Sequence, residues 1–302
     1  MSRYITCTYS LLSMCLAATA LAGHQRIVVV TGQSNARPEF AIGVVDGILG
    51  SGGMPDASLF HRHNSGNWMF RWVDGDPGAH TLGPNFLNDL WHPDGTSALQ
   101  KEIEAIEAAG DTWEIDGFVW FQGEGDTGSA YHRDRYHARF EHMISTMEAA
   151  YDLTRSLRVV VTLIDFNGDV DALFTMGGRT PQDIDAMRAV QQAIVDADPA
   201  RAAVDSRGWP RFDVWHIGDL DDPRGRYGPL ADFGESFSSA YLGAQRGASR
   251  ADLNRDGVLD LLDIGRFVDG FVAGSAVADL ALPIGTLDLS DVNRFVDCFV
   301  SP

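Results

Sequence analysis

Short apolar runs at residues 26–31, 115–121, 157–164 and 202–204 alternate with longer stretches at 98–109, 133–151, 181–198 and 236–246, where apolar residues recur every three or four positions among charges. A strand apolar at every position has to be covered on both faces, and a helix with one apolar stripe can cover one of them. Their alternation predicts a parallel sheet between two helical layers, a three-layer α/β/α sandwich with ligands at the carboxyl ends of the strands. Residues 43–95 are rich in Gly, Pro, Asp, His and Trp and lack periodicity. They read as long loops over those strand ends.

Residues 1–22 carry one charge, Arg3, then an apolar run over 11–21, and end in Ala20-Leu21-Ala22, a small-x-small cleavage pattern. The expectation is a signal peptide cleaved near Ala22, a secreted or periplasmic protein, and a main domain over 23–248. The apolar run is shorter than the ~20 residues a membrane span requires, and no later stretch approaches that length. Cys7 and Cys15 leave with the signal, so Cys298 stands alone and no intramolecular disulfide is expected. Stability then falls to a buried core. A net charge of −19 with a single lysine, Lys101, weighs against nucleic acid and anionic membranes as partners, which would be repelled.

The first strand runs into Thr31-Gly32-Gln33-Ser34-Asn35-Ala36, a lone serine at a sharp strand end. Gly32 leaves room for a tight turn, and a helix starting beyond it would aim backbone N–H groups at the serine oxygen. Trp120-Phe121-Gln122-Gly123-Glu124-Gly125-Asp126 closes the second strand, and Asp213-Val214-Trp215-His216 comes late in the domain. In a tight turn, a carboxylate three residues before a histidine accepts a hydrogen bond from one imidazole nitrogen. The other is left to take the proton of Ser34. Ordinary α/β-hydrolases carry Gly-x-Ser-x-Gly and keep acid and base far apart. Ala36 in place of the last glycine, and Asp213 beside His216, disfavour that fold. His61 and His63, two apart on a strand with no third ligand, read as surface residues, as do His132 and His137 on a charged helix. Trp68, Trp72 and Trp91 read either as sugar-stacking faces or as core and loop anchors.

These motifs, with Met187-Arg188-Ala189-Val190-Gln191 as an Arg-x-x-Gln helix between them, resemble the sialate O-acetylesterase-like and carbohydrate esterase family six enzymes of the SGNH-hydrolase superfamily, over residues 26–246. The resemblance implies a flavodoxin-like sheet and a secreted acetylesterase acting on carbohydrate through Ser34, His216 and Asp213, by way of an acyl-enzyme and with no catalytic cofactor. It also implies an oxyanion hole of the Ser34 N–H, the Gly83 N–H in Gly83-Pro84-Asn85, and the Gln122 side chain, supported by Gln33, Asn35 and Glu124. Glu124 is either the acid that orients His216 or a carboxylate pinning the turn at 32–35. The second is favoured because Asp213 is already in place. The alternatives are a non-catalytic carbohydrate-binding or scaffold protein with the fold retained, and a lipid- or thioester-directed hydrolase. Intact Ser34, Asp213 and His216 weigh against the first, and the lack of a long apolar lid-like stretch against lipid.

Composition shifts at 247–250, and residues 249–302 read as a second, small domain. Asp252, Asn254, Asp256, Asp260 and Asp263 occupy loop positions one, three, five, nine and twelve, with Gly257 at six. Oxygen donors at those offsets converge on one hard cation, and the glycine permits the turn. A helix over 264–272 follows. The segment 258–271 parallels 286–299, a weak internal repeat. This resembles a dockerin, which implies a small all-α module with structural Ca2+, mainly at the first loop. The second loop is damaged, because Ala281 and Pro283 stand where ligands belong. Whether the module takes a cohesin-like partner, attaches to a cell surface or is a stabilising tail is not fixed by the sequence.

Overall fold

The computed structural model describes residues 23–73, 86–244, 249–254 and 258–300. In chain order the elements are β1 (His24–Gly32), α1 (Pro38–Gly50), β2 (Ala57–His63), α2 (Leu87–Leu90), α3 (Ala98–Ala108), β3 (Thr112–Phe121), α4 (Ala130–Ala150), β4 (Arg158–Leu163), α5 (Val170–Thr175), α6 (Pro181–Asp196), β5 (Arg201–Asp205), α7 (Gly228–Gly243), α8 (Leu261–Ala273) and α9 (Leu289–Val300). The strands form a parallel sheet in the order β2-β1-β3-β4-β5. That is the flavodoxin-like order, in which the chain reverses its direction of winding between β1 and β3 and opens a crevice there.

Val28, Val29 and Val30 of β1, Phe118, Val119 and Trp120 of β3, and Val159, Val160 and Val161 of β4 are buried on both faces of the sheet. On one face lie α1 and α7, which pack on each other. On the other lie α3, α4 and α6. Here α4 packs on α6, and the Tyr151 hydroxyl at the end of α4 reaches Leu90 O and Ser97 Oγ at the start of α3. Sequence had read the stretch from 43 onward as loop. The structure corrects this, since α1 runs to Gly50 and β2 forms an edge of the sheet. The reason is close packing. A Cβ at Gly43 would meet Ala231 O at 2.1 Å, and one at Gly234 would meet Phe40 O at 2.3 Å, so glycines that look like loop punctuation are where two helix backbones touch. Phe40 fills the space beside this crossing, with ring centroids 5.3 Å from Phe121 and 4.9 Å from Phe237.

The C-terminal helices have a separate small core of Ala251, Phe267, Ala278, Leu280, Phe295 and Cys298, in which Phe267 stacks on Phe295 at 4.3 Å. The internal repeat is visible in the packing. Asp263 and Asp291, equivalent in the two halves, are both fully buried and accept backbone N–H groups of the loops before their helices. The unit docks on the end of α4 through Arg250–Glu148 (3.5 Å) and Arg294–Asp152 (2.9 Å) ion pairs and the Arg250 N–H to Thr154 O bond (3.0 Å). Among the described residues no helix is long and apolar enough to cross a membrane. The signal-like segment 1–22, Gly83 and Asp256 lie outside the described residues.

Gly32 ends β1 at φ +147, and a Cβ there would sit 2.1 Å from Phe121 O. Gly32→Ala should therefore lower unfolding free energy by about 3 kcal/mol, through strained backbone and a forced strand separation. Urea unfolding of the two proteins measures it, and a loss within experimental error would show that the strand ends tolerate separation.

Candidate active site

Two strand ends and one late turn build the site. β1 delivers Ser34 and β3 delivers Gln122 and Glu124 on either side of the crevice, so the switch point of the sheet lies between the Ser34 loop and the Glu124 loop. The Gln33 N–H bonds to Phe121 O (3.0 Å) and ties the two loops at their base. Ser34 is half-buried, and among the described residues it has no hydrogen-bond partner, leaving its N–H and hydroxyl uncommitted. Among the described non-glycine residues Asp152 alone has a positive φ. The serine thus sits on a relaxed turn, unlike the strained nucleophile elbow of α/β-hydrolases.

His216 lies in the turn that the Asp-x-x-His spacing predicts. Its Nδ1 is 2.7 Å from Asp213 Oδ2, and Asp213 Oδ1 accepts the backbone N–H groups of Trp215 (2.9 Å) and His216 (2.8 Å). Partial burial alone would raise the Asp213 carboxyl. The His216 and Trp215 hydrogen bonds outweigh it and hold the group below the ordinary carboxylate range. An ionised acid on Nδ1 fixes the tautomer that leaves Nε2 free to accept a proton. Phe212 stacks on the imidazole at 5.6 Å and 11°.

Asn35 joins this turn to the serine. Its Nδ2 donates to Glu124 Oε1 (2.8 Å) and Trp215 O (3.1 Å), and its Oδ1 accepts the Ile217 N–H (3.1 Å). The residues on both sides of His216 are thereby fastened to the neighbour of Ser34. Glu124, 4% exposed, is occupied as the acceptor of Asn35, while Asp213 holds the imidazole. Burial raises the Glu124 carboxyl, against the pull of the Asn35 bond, His216 and Arg211.

Gln122 takes a different place from the one its motif implied. It is fully buried, and its Nε2 lies 2.6 Å from Asp126 Oδ2 and 3.1 Å from both Gln33 Oε1 and Asn67 O. An amide has two N–H bonds, and both are spent inside the protein. Gln122 braces the loop beneath Ser34 instead of presenting a donor to a substrate oxygen. Gln33 accepts from Gln122 and from the Gly125 N–H (3.3 Å). The predicted Arg-x-x-Gln helix is α6, where Arg188 bonds Leu163 O, Ile164 O and Asp205, and Gln191 bonds the Ile164 N–H and Gln122 O.

The surface reading of three histidines is corrected. His132 is 9% exposed, wedged against Trp68 and Phe70 with its Nδ1 3.1 Å from Arg139. His61 and His63 are half-buried and stacked at 5.2 Å, with His61 Nε2 2.7 Å from Ala36 O. Burial lowers both imidazoles, helped by Arg62 beside His61 and by His61 and Arg37 beside His63. Of the three tryptophans, Trp72 is core, Trp91 is half-buried and Trp68 is exposed.

With the geometry in view, residues 80–219 match the family model described as SASA: Carbohydrate esterase, sialic acid-specific acetylesterase. This span contains the Gln122 loop and the Asp213–His216 turn and begins after Ser34. The match supports an esterase. Similar solved structures include a protein of Arabidopsis thaliana (16% identity, TM-score 0.48, covering 72% of this chain and 98% of that one) and Est24, a carbohydrate acetylesterase from Sinorhizobium meliloti (12%, 0.44, 71% and 97%). An aryl esterase of M. smegmatis is a third (14%, 0.42, 73% and 99%). Comparison with curated proteins gives no match.

Asp126 is fully buried below the site, and burial pushes its carboxyl up to about 6, against the Gln122 and Met69 N–H bonds. Between the unfolded value of 3.8 and about 6 the native state holds a proton that the unfolded chain has lost. This group's contribution to stability therefore falls as pH rises through that window, by up to about 3 kcal/mol. Asp126→Asn removes the titration. Urea unfolding at pH 4.5 and 7 should show a smaller drop for the variant, and equal drops would refute the assignment.

Proposed function

We propose that the protein is a serine carboxylic ester hydrolase that removes O-acetyl groups from carbohydrate, with Ser34 as nucleophile, His216 as general base and Asp213 as its orienting acid. One observation carries this: an Asp213–His216 pair at 2.7 Å whose flanking backbone is hydrogen-bonded to the side chain next to a serine that makes no hydrogen bond among the described residues. Ser34 Oγ attacks the acetyl carbonyl carbon as its proton passes to His216 Nε2. The ester C–O bond then breaks as His216 returns the proton to the departing sugar oxygen. Water, deprotonated by the same imidazole, releases acetate and restores the serine. The uncommitted Ser34 N–H is one donor for the oxyanion, and such a donor is worth about 3 kcal/mol of barrier. Gly83 is the proposed second donor, and Gln122 keeps the turn in place.

Ser34→Ala should abolish hydrolysis of an aryl acetate and acetate release from acetylated xylan. Asp213→Asn should lower kcat by about 10⁴ with the fold intact, because it favours the wrong imidazole tautomer. Comparable turnover in either variant would overturn the triad.

For the C-terminal unit we propose a structural calcium ion and, with residues 1–22 read as a signal, an exported protein. No three His, Cys, Asp or Glu side chains among the described residues cluster as a metal centre, and Asp256, the middle ligand of the loop, lies outside them. The fit comes from Asp263, fully buried and accepting two backbone N–H groups, with Asp252 buried and Asn254 half-buried in the same loop. Among the described residues Asp263 has no basic partner, and a buried carboxylate in that setting suits a hard cation. Asp260 is occupied as the N-cap of α8. Chelation should lower the melting temperature of the unit and added Ca2+ restore it. A melting curve indifferent to both would remove calcium from the account.

A further inference from the structure

We propose that the indole of Trp68 is a stacking subsite for a pyranose ring held beside Ser34, an inference that rests on the esterase reading for what the ring carries. The segment bearing Trp68 leaves β2 and crosses the switch point. The Asn64 N–H bonds to Gly32 O (3.0 Å) at the end of β1, and Asn67 O accepts from Gln122 Nε2 (3.1 Å) beyond the end of β3. The same Gln122 nitrogen reaches Gln33, the residue before Ser34. Trp68 therefore stands at the carboxyl edge of the sheet, one short hydrogen-bonded chain from the nucleophile.

Its ring is fixed in advance. His132 and Phe70 make T-shaped contacts with it at 4.2 and 5.7 Å, and the next residue's N–H bonds to buried Asp126 Oδ2 at 2.9 Å. Gly125 brings the carboxylate loop so close that a Cβ there would meet Trp68 Cδ1 at 2.9 Å. Yet 37% of Trp68 stays exposed, whereas Trp72, four residues on, is fully buried. A rigid, open indole loses little conformational freedom on binding, and the C–H face of a pyranose buries apolar area on it while its hydroxyls stay in reach of water and amides.

The test uses the full chain and an acetylated xylo-oligosaccharide as probe. In an inactive Ser34→Ala background, calorimetry should show affinity about tenfold weaker with Trp68→Ala, and within about threefold of the parent with Trp68→Phe, which keeps a ring face. In the active protein, Trp68→Ala should lower kcat/KM for the oligosaccharide about tenfold more than for an aryl acetate. Equal affinity with and without the indole, or equal losses on both substrates, would overturn the subsite. If the parent cleaves no acetyl ester, the esterase reading falls, while the calorimetric comparison still decides the subsite. Trp68→Phe keeps the question answerable should the alanine variant fail to fold.

Discussion

One amide side chain joins three parts of this chain that are far apart in sequence. Asn35 reaches 89 residues ahead to Glu124 and about 180 ahead to the backbone on either side of His216. The Asp213–His216 pair closes within its own turn, and Asn35 is the side chain that ties the backbone of this turn to the residue next to Ser34. Through Asn35, the turn beside Ser34, the turn bearing His216 and the β3 loop share one hydrogen-bonded centre. Such an arrangement depends on burial, since three hydrogen bonds exchanged for water are worth little at an exposed site and much more where water is excluded. Asn35 is 1% exposed and Glu124 4%. The glycine at 32 is part of the same device, for it lets the β1 and β3 ends come close enough for Asn35 to reach Glu124.

Burial divides the acids of the site by role. Glu124 and Asp126 lie in the protein interior, where desolvation favours their neutral forms, and each is used to hold amides and backbone N–H groups. Asp213 is partly open to solvent and held ionised by three donors. Of the three, Asp213 is the one whose surroundings keep it charged. The three-residue spacing to His216 already favours Asp213 over Glu124 in the sequence, and the assembled fold adds what no spacing shows, a burial that sets the two carboxylates in different environments.

The parts of this structure legible in the sequence are those with local causes. Strands β1, β3, β4 and β5 follow from runs of apolar residues, and helices α3, α4 and α6 from their periodicity. The contact of Asp213 with His216 needed three residues of spacing and a turn. What stayed hidden is set by partners distant in the chain. The glycines of α1 mimic a loop until α7 is laid across them. Gln122 looks like a free donor until Asp126, Gln33 and Asn67 surround it. His132 carries a helix's polar pattern, and is buried by a Trp68 segment whose course no periodicity announces.

Among the described residues, the ion pairs that join the small C-terminal unit to the larger domain lie far from Ser34. The unit's core among the described residues is six buried apolar side chains with the cysteine unpaired, and Arg250 and Arg294 tie it to the larger domain. Both ion pairs fall at the carboxyl end of α4, on Glu148 and Asp152. The opposite end of α4 begins at Ala130, directly after the Asp126 loop that underlies Ser34. A helix of 21 residues separates the two by about 30 Å. Distance on that scale, along a helix packed on α6, sets the C-terminal helices well away from the crevice between β1 and β3. Among the described residues, the loops around Ser34 and the two ion pairs of the C-terminal unit are thus set at opposite ends of α4.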